Sequence, residues 1–227
     1  MQTMKRVLIS IATLLVLGGS SLGFTIWRAV SPTKGASIDA NRPGKALILV
    51  DLQEDYTGPK AKQAYAEGAR LVAGANQLIE AARAGGWPVF LVRVTMPNDW
   101  FHGLMTGSTA MAGTPGAEFD TRLTRAPDLI EITKTKSDSF GNPMLDARLA
   151  DHHVGQLYIA GLDAAYCVKA TIAGALNRGY SVNVVRDAIA TRHGTSLEVL
   201  IQGYLAKGAV VKSLDQARAE LGVKASP

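Results

Sequence analysis

The chain has 227 residues, 47% of them apolar and 19% charged, which suits one domain with a sizeable core and excludes a disordered chain. The net charge of +5 gathers at the start: Lys5, Arg6, Arg28, Lys34 and Arg42 against Asp39 put +4 into the first 44 residues and leave about +1 for the rest. The body therefore lacks the basic footprint of a nucleic-acid binder, and a single cysteine excludes an internal disulfide.

Residues 1–30 read as a membrane anchor or signal segment. Val7 to Trp27 carries no charge and is long enough to cross a bilayer core as a helix. Lys5 and Arg6 before it predict an N-terminus in the cytoplasm. The run is long for a signal peptide and has no clean small-x-small site. The expectation is thus a single-pass protein of the inner or plasma membrane, its folded domain on the extracytoplasmic side; cleavage would instead release it to the periplasm or medium. Residues 31–44 (SPTKGASIDANRPG) read as a linker, and the folded domain is expected over 45–227.

Ala46 to Asp51 (ALILVD) is a continuous apolar run ending in an acid, as in a central parallel strand covered on both faces. A helix is expected over Ala61 to Ala84, with Leu71, Leu78, Ile79 and Ala82 on one face and Gly85 and Gly86 as its stop. Pro88 to Thr95 predicts the second strand. Met96 to Asp128 has no long periodic run and reads as an excursion, functional or mobile by its length. Leu129 to Thr133 is a short strand leading to Lys134. Asn142 and Pro143 predict the start of a helix through Asp151. Leu157 to Gly161 predicts a strand, Cys167 to Arg178 a helix, and Ser181 to Arg186 another strand. Thr195 and Glu198 suggest a capping box for a helix to Lys207. Ala209 to Lys212 predicts the last strand, and Ser213 starts a terminal helix. This alternation implies an α/β fold with a parallel sheet between two helical layers, whose ligands bind beyond the carboxyl ends of the strands.

Asp51, Lys134 and Cys167 all fall at that edge. Cys167 opens a helix, where unpaired N–H groups and the macrodipole favour thiolate over thiol. It reads either as a nucleophile or as one of the small, buried cysteines common in cores. Asp51 reads as a proton acceptor or an ordinary strand-end acid, and Lys134 as a fixed positive charge or a solvated lysine, with Lys136 as its competitor. Together a thiol, a carboxylate and an ammonium supply what thiol-based acyl transfer needs.

Three segments carry a resemblance: ALILVDLQEDY, ITKTKSDSF and AGLDAAYCVKATIAGALNRGYSVNVVRDA. With these the chain resembles the isochorismatase-like cysteine hydrolases, a superfamily that includes nicotinamidases, N-carbamoylsarcosine amidohydrolase and ureidoacrylate amidohydrolases, over nearly all of Lys45 to Leu221. The resemblance implies a Rossmann-like three-layer αβα sandwich with a six-stranded, mostly parallel sheet, here preceded by the N-terminal transmembrane or signal helix. It implies Asp51, Lys134 and Cys167 as the catalytic residues; the lysine motif, six residues before Phe140, selects Lys134 over Lys136. It further implies a cis peptide at Leu162–Asp163 and an oxyanion hole from the backbone N–H groups of Asp163 and Cys167. Ala164 and Ala165 depart from the Thr and the acidic or amide residue many relatives carry there. A cysteine at this position implies an amide or related C–N bond in a small amide or ureido substrate, since vinyl-ether-cleaving isochorismatases lack it. A homo-oligomer is also implied.

No cofactor is expected. Nicotinamidases of this family often hold a metal through an Asp-x-His pair and a second histidine; here Asp99 and His102 have two residues between them and no second histidine follows in the excursion, so no metal is expected. Trp100, Phe101, Phe140 and Tyr166 are candidates for the pocket wall, or ordinary core aromatics. Two other readings stay open: a catalytically silent, membrane-tethered binding or thiol redox-sensing domain of the same fold, and a nicotinamidase with an atypical metal site.

Overall fold

The computed structural model describes residues 30–39, 41–192 and 194–224. Among the described residues six strands alternate with six α-helices: β1 (Gly44–Val50), α1 (Gly68–Ala84), β2 (Val89–Val94), α2 (Trp100–Thr106), β3 (Ile130–Lys134), α3 (Pro143–Asp151), β4 (Val154–Gly161), α4 (Cys167–Leu176), β5 (Ser181–Ile189), α5 (Leu197–Leu205), β6 (Val210–Lys212) and α6 (Leu214–Leu221). The strands form one sheet in the order β3-β2-β1-β4-β5-β6, and every neighbouring pair is parallel. β1 and β4, adjacent at the centre, flank the point where the strand order reverses, and ligands bind at such switch points.

The apolar run of β1 serves both faces of the sheet. Ala46, Ile48 and Val50 join the core built with Leu145 and Leu149 of α3, Val168 and Ile172 of α4, and Leu200 and Tyr204 of α5. Leu47 and Leu49 point into the other core, with Leu71, Leu78 and Ile79 of α1 and Leu221 of α6. The two cores make the three-layer sandwich.

Helix starts follow side-chain capping. Asn142 accepts a hydrogen bond from Met144 N at 2.9 Å ahead of Pro143. Ser213 forms a capping box with Gln216. α5 is capped by Ser196 rather than Thr195. α1 begins at Gly68, seven residues later than expected, because the preceding chain is drawn across the carboxyl edge of the sheet: Gln63 N bonds Asp55 O at 3.0 Å, and Tyr65 N bonds Tyr56 O at 3.0 Å. α2, within the excursion, buries no residue and so leaves no apolar period to read.

Gly161 ends β4 at φ 111°, and a Cβ there would lie 2.1 Å from Val50 O. Only glycine tolerates both the backbone and the approach. Gly161→Ala is expected to destabilise by about 2–3 kcal/mol, read as a lower urea midpoint at unchanged slope.

The expected membrane anchor is corrected. Val7 to Trp27 lies outside the described residues, and among the described residues no helix is long and apolar enough to cross a membrane. The longest of these, α1, has 17 residues and carries Arg70, Glu80 and Arg83. The transmembrane or signal helix, the membrane as a partner and the single-pass location are therefore withdrawn.

Candidate active site

Asp51 follows β1, Lys134 ends β3, and Cys167 opens α4 beyond β4. β2 stands between β1 and β3, so Lys134 must reach across two inter-strand spacings, about 9–10 Å. The Lys134 stem, the hydrogen bond and the Asp51 side chain span it together. Lys134 Nζ donates to Asp51 Oδ2 at 2.8 Å, and both side chains are buried. Asp51 adopts φ 55°, a left-handed conformation in which few non-glycine residues are found, although Asp is enriched there. Its second carboxylate oxygen, Oδ1, is buried without a hydrogen-bond partner among the described residues. An orphaned buried acceptor is costly for stability, so it marks a site kept for chemistry.

Cys167 is partly exposed and feels both charges. Burial pushes its thiol up to about 12; the Lys134 ammonium pulls it down and the Asp51 carboxylate adds to the rise. Removal from water thus opposes the lean toward thiolate expected from the helix start, and the adjacent ion pair, nearly neutral overall, offsets little of it. Burial opposes the charge on Lys134, but Asp51 and Cys167 beside it hold its pKa above the ordinary lysine value. Alkylation of Cys167 by iodoacetamide is expected to keep climbing from about pH 9 to 11, where an ordinary thiol, with a pKa of about 8.5, has levelled off. Intact-mass kinetics read this directly because the chain has one cysteine.

The loop after β4 is tightly held. The Leu162–Asp163 peptide is cis. Asp163 Oδ2 accepts from Tyr65 Oη at 2.9 Å and Arg192 N at 3.3 Å, while Oδ1 accepts from Ala165 N at 2.6 Å and Thr191 Oγ1 at 3.2 Å. Alanine at 164 and 165 thus does not leave the loop unsupported. Ala164 N bonds Ala190 O at 2.9 Å, and its carbonyl accepts from the Tyr204 hydroxyl.

A cleft of about 530 Å³ opens over Asp51 and Cys167. Of the four expected wall aromatics, Tyr166 lines it. Phe140 does not: it is buried in the core, stacked beneath Arg178 and beside Tyr180. Trp100 and Phe101 sit on the exposed α2, whose Met105 and Thr106 are the residues that reach the cleft. Sequence reasoning missed Tyr56, Tyr65 and Arg192, which also line it. The ALILVDLQEDY segment held a signal for Tyr56, five residues after Asp51. Gln53 in the same segment is structural: its amide is fully buried, donating to Val94 O at 2.9 Å and Ala117 O at 2.8 Å and accepting from Val94 N at 3.0 Å. It ties the excursion to the end of β2, over which Lys134 passes.

A parallel sheet that gathers a carboxylate, an ammonium and a thiol at its switch point is a cysteine-hydrolase fold. The Isochorismatase domain model matches residues 45–216, and the chain belongs to the isochorismatase family. It has the cysteine-hydrolase fold of the isochorismatase superfamily. The chain is 31% identical over 157 residues to the uncharacterised isochorismatase family protein YddQ of Bacillus subtilis, covering 68% of this chain and 80% of that one. It is 27% identical to an N-carbamoylsarcosine amidase of Arthrobacter (67% and 61% covered) and 32% identical to a streptothricin hydrolase of Streptomyces noursei (67% and 56%), so it spans little over half the length of these two. Among solved structures, N-carbamoylsarcosine amidase from Thermoplasma acidophilum superposes with a TM-score of 0.68 at 28% identity, covering 76% of this chain and 97% of that one. A pyrazinamidase of Pyrococcus horikoshii in complex with zinc superposes at 0.67 and 26%, covering 75% and 99%.

The described residues do not fit a metal of that kind. Asp99 Oδ1 accepts from His102 N at 2.9 Å to cap α2, and Oδ2 pairs with His102 Nδ1 at 2.8 Å. Both oxygens are thus committed, and among the described residues no three His, Cys, Asp or Glu side chains converge. His193 lies outside the described residues.

Proposed function

We propose that the protein hydrolyses an amide or related C–N bond of a small molecule through a Cys167 thioester. The observation that carries this is that Asp51 Oδ2 is held by Lys134 while Oδ1 is buried without a hydrogen-bond partner among the described residues, with Cys167 near enough to feel both charges. Asp51 takes the thiol proton at Oδ1 as sulfur attacks the carbonyl, so the thiolate forms only when an electrophile is present. The fixed Lys134 ammonium offsets the negative charge on sulfur and carboxylate. The oxyanion of the tetrahedral adduct is received by the backbone N–H groups of Asp163 and Cys167, donors of the kind whose single loss typically costs about 3 kcal/mol. As the C–N bond breaks, Asp51 returns its proton to the leaving amine. Asp51 then accepts a proton from water as it attacks the thioester, and returns that proton to sulfur as the C–S bond breaks, releasing the acid and the free thiol.

Small amides and ureido compounds are the substrate class that the named relatives support, an N-carbamoylsarcosine amidase and a streptothricin hydrolase among them. A cleft of about 530 Å³ suits molecules of this size. The high thiol pKa speaks against a redox sensor, which relies on a resting thiolate. The committed Asp99–His102 pair speaks against a metal-dependent nicotinamidase. The test is to screen small amides and ureido compounds with acid quench and intact-mass detection. An acyl adduct on Cys167 that decays to product is expected; turnover with no adduct under single-turnover conditions overturns the covalent route.

A further inference from the structure

Residues 31–39 were expected to be a linker, yet they are bolted to the body. Asp138 is fully buried, and its Oδ2 accepts from both Thr33 N and Thr33 Oγ1 at 2.7 Å; Oδ1 is taken by Phe140 N at 2.9 Å. Arg178 Nη1 donates to Thr33 Oγ1 at 3.0 Å, and Asn177 Nδ2 donates to Thr33 O at 2.9 Å. Arg178 is itself clamped by the Asp146 carboxylate at 2.7 and 3.0 Å. Five residues on, Ile38 N bonds Arg178 O at 2.8 Å, and the Ile38 side chain packs against the core. A buried carboxylate and a buried guanidinium spent on one threonine are more than a tether requires, since each must be fully partnered to be tolerated.

The consequence lies three residues upstream. Val30 lines the active cleft together with Ser137, the neighbour of Asp138, and with Tyr166, Met105 and Cys167. It is 47% exposed, so half of its surface remains to meet a bound molecule. We propose that residues 30–39 form a strap that completes the cleft wall, and that Val30 is a specificity-determining residue, its isopropyl group limiting the size of the substituent a substrate carries on that side. Thr33 is the positioning residue that fixes it. The inference takes its meaning from the reading of Cys167 as nucleophile, but its test does not need hydrolysis.

Because the chain has one cysteine, the ratio of alkylation rates with N-benzyl iodoacetamide and iodoacetamide reports the width of the cleft at the sulfur. In the full-length protein, Val30→Trp is expected to lower this ratio about tenfold and Val30→Gly to raise it several-fold, on the scale of one packing contact in an apolar pocket. In a Thr33→Ala background, which removes the hydroxyl's bonds to Asp138 and Arg178 and loosens the strap, Val30→Trp should lose much of its effect, a coupling that a merely destabilising change would not produce. Ratios unchanged by both Val30 substitutions overturn the proposal, and a Val30→Trp block that persists without Thr33 overturns the anchoring. Failure to find any hydrolysed amide would count against the proposed function and leave these ratios untouched.

Discussion

Cys167→Ala is expected to lower hydrolysis of any amide the protein turns over by about 10⁴-fold or more, with the unfolding midpoint nearly unchanged. The thiol contributes little packing that a methyl group would not replace, whereas no other group near Asp51 can form the acyl intermediate. Asp51→Asn is expected to fall almost as far, because the proposed route hands the thiol proton to the unpartnered Asp51 Oδ1, and burial raises the thiol pKa so that it needs such an acceptor at neutral pH. The two losses should not add: once sulfur is absent the proton acceptor has nothing to serve. Activity and adduct mass measured across the single and double variants check this. A Cys167→Ala protein that keeps a hundredth of the parent rate would assign the reaction to another group.

The second large effect is on stability. Lys134→Met removes the sole ion-pair partner, among the described residues, of a carboxylate whose side chain is 4% exposed, leaving an unpaired buried charge. The expected cost is about 3–5 kcal/mol, seen as a fall of about 2 M in the urea midpoint. Adding Asp51→Asn should recover much of that, since the stranded charge is gone, while activity stays lost. A Lys134→Met protein as stable as the parent would show that the pair is not desolvated in solution. The pH dependence follows from the direction of the shift. The folded-state pKa of Lys134 lies above its ordinary value, so its contribution is complete below about pH 10.4 and is lost as pH rises through the folded value. The parent should therefore shed stability in that alkaline range more steeply than Lys134→Met, whose profile lacks this group. A buried ion pair is weak evidence of stabilisation by itself. Here the cost of sinking an ammonium is offset by an arrangement that leaves one carboxylate oxygen available beside sulfur.

Much of the fold could be read locally. A run such as ALILVD predicts a two-sided central strand because apolar periodicity and burial are the same fact seen twice, and Asn142–Pro143 and Ser213 mark helix starts because capping is chemistry between residues two or three apart. The site was legible to the extent that ends of parallel strands converge on one edge. The placement of the pocket aromatics was not: Phe140 went to the core and Tyr65, outside any recognisable pattern, came to Asp163, because contacts nearly a hundred positions apart leave no period in the chain.

The sequence alone determined the strand–helix alternation, the three residues worth attention and the family they resemble, since each rests on local spacing or on an ordered motif. Tertiary structure decided the burial that raises the thiol pKa, the reach of Lys134 over β2 and the capture of Thr33 by Asp138 and Arg178. These depend on how much water is excluded and on which distant segments meet. Desolvation and long-range pairing are properties of the packed molecule, not of any stretch of its chain.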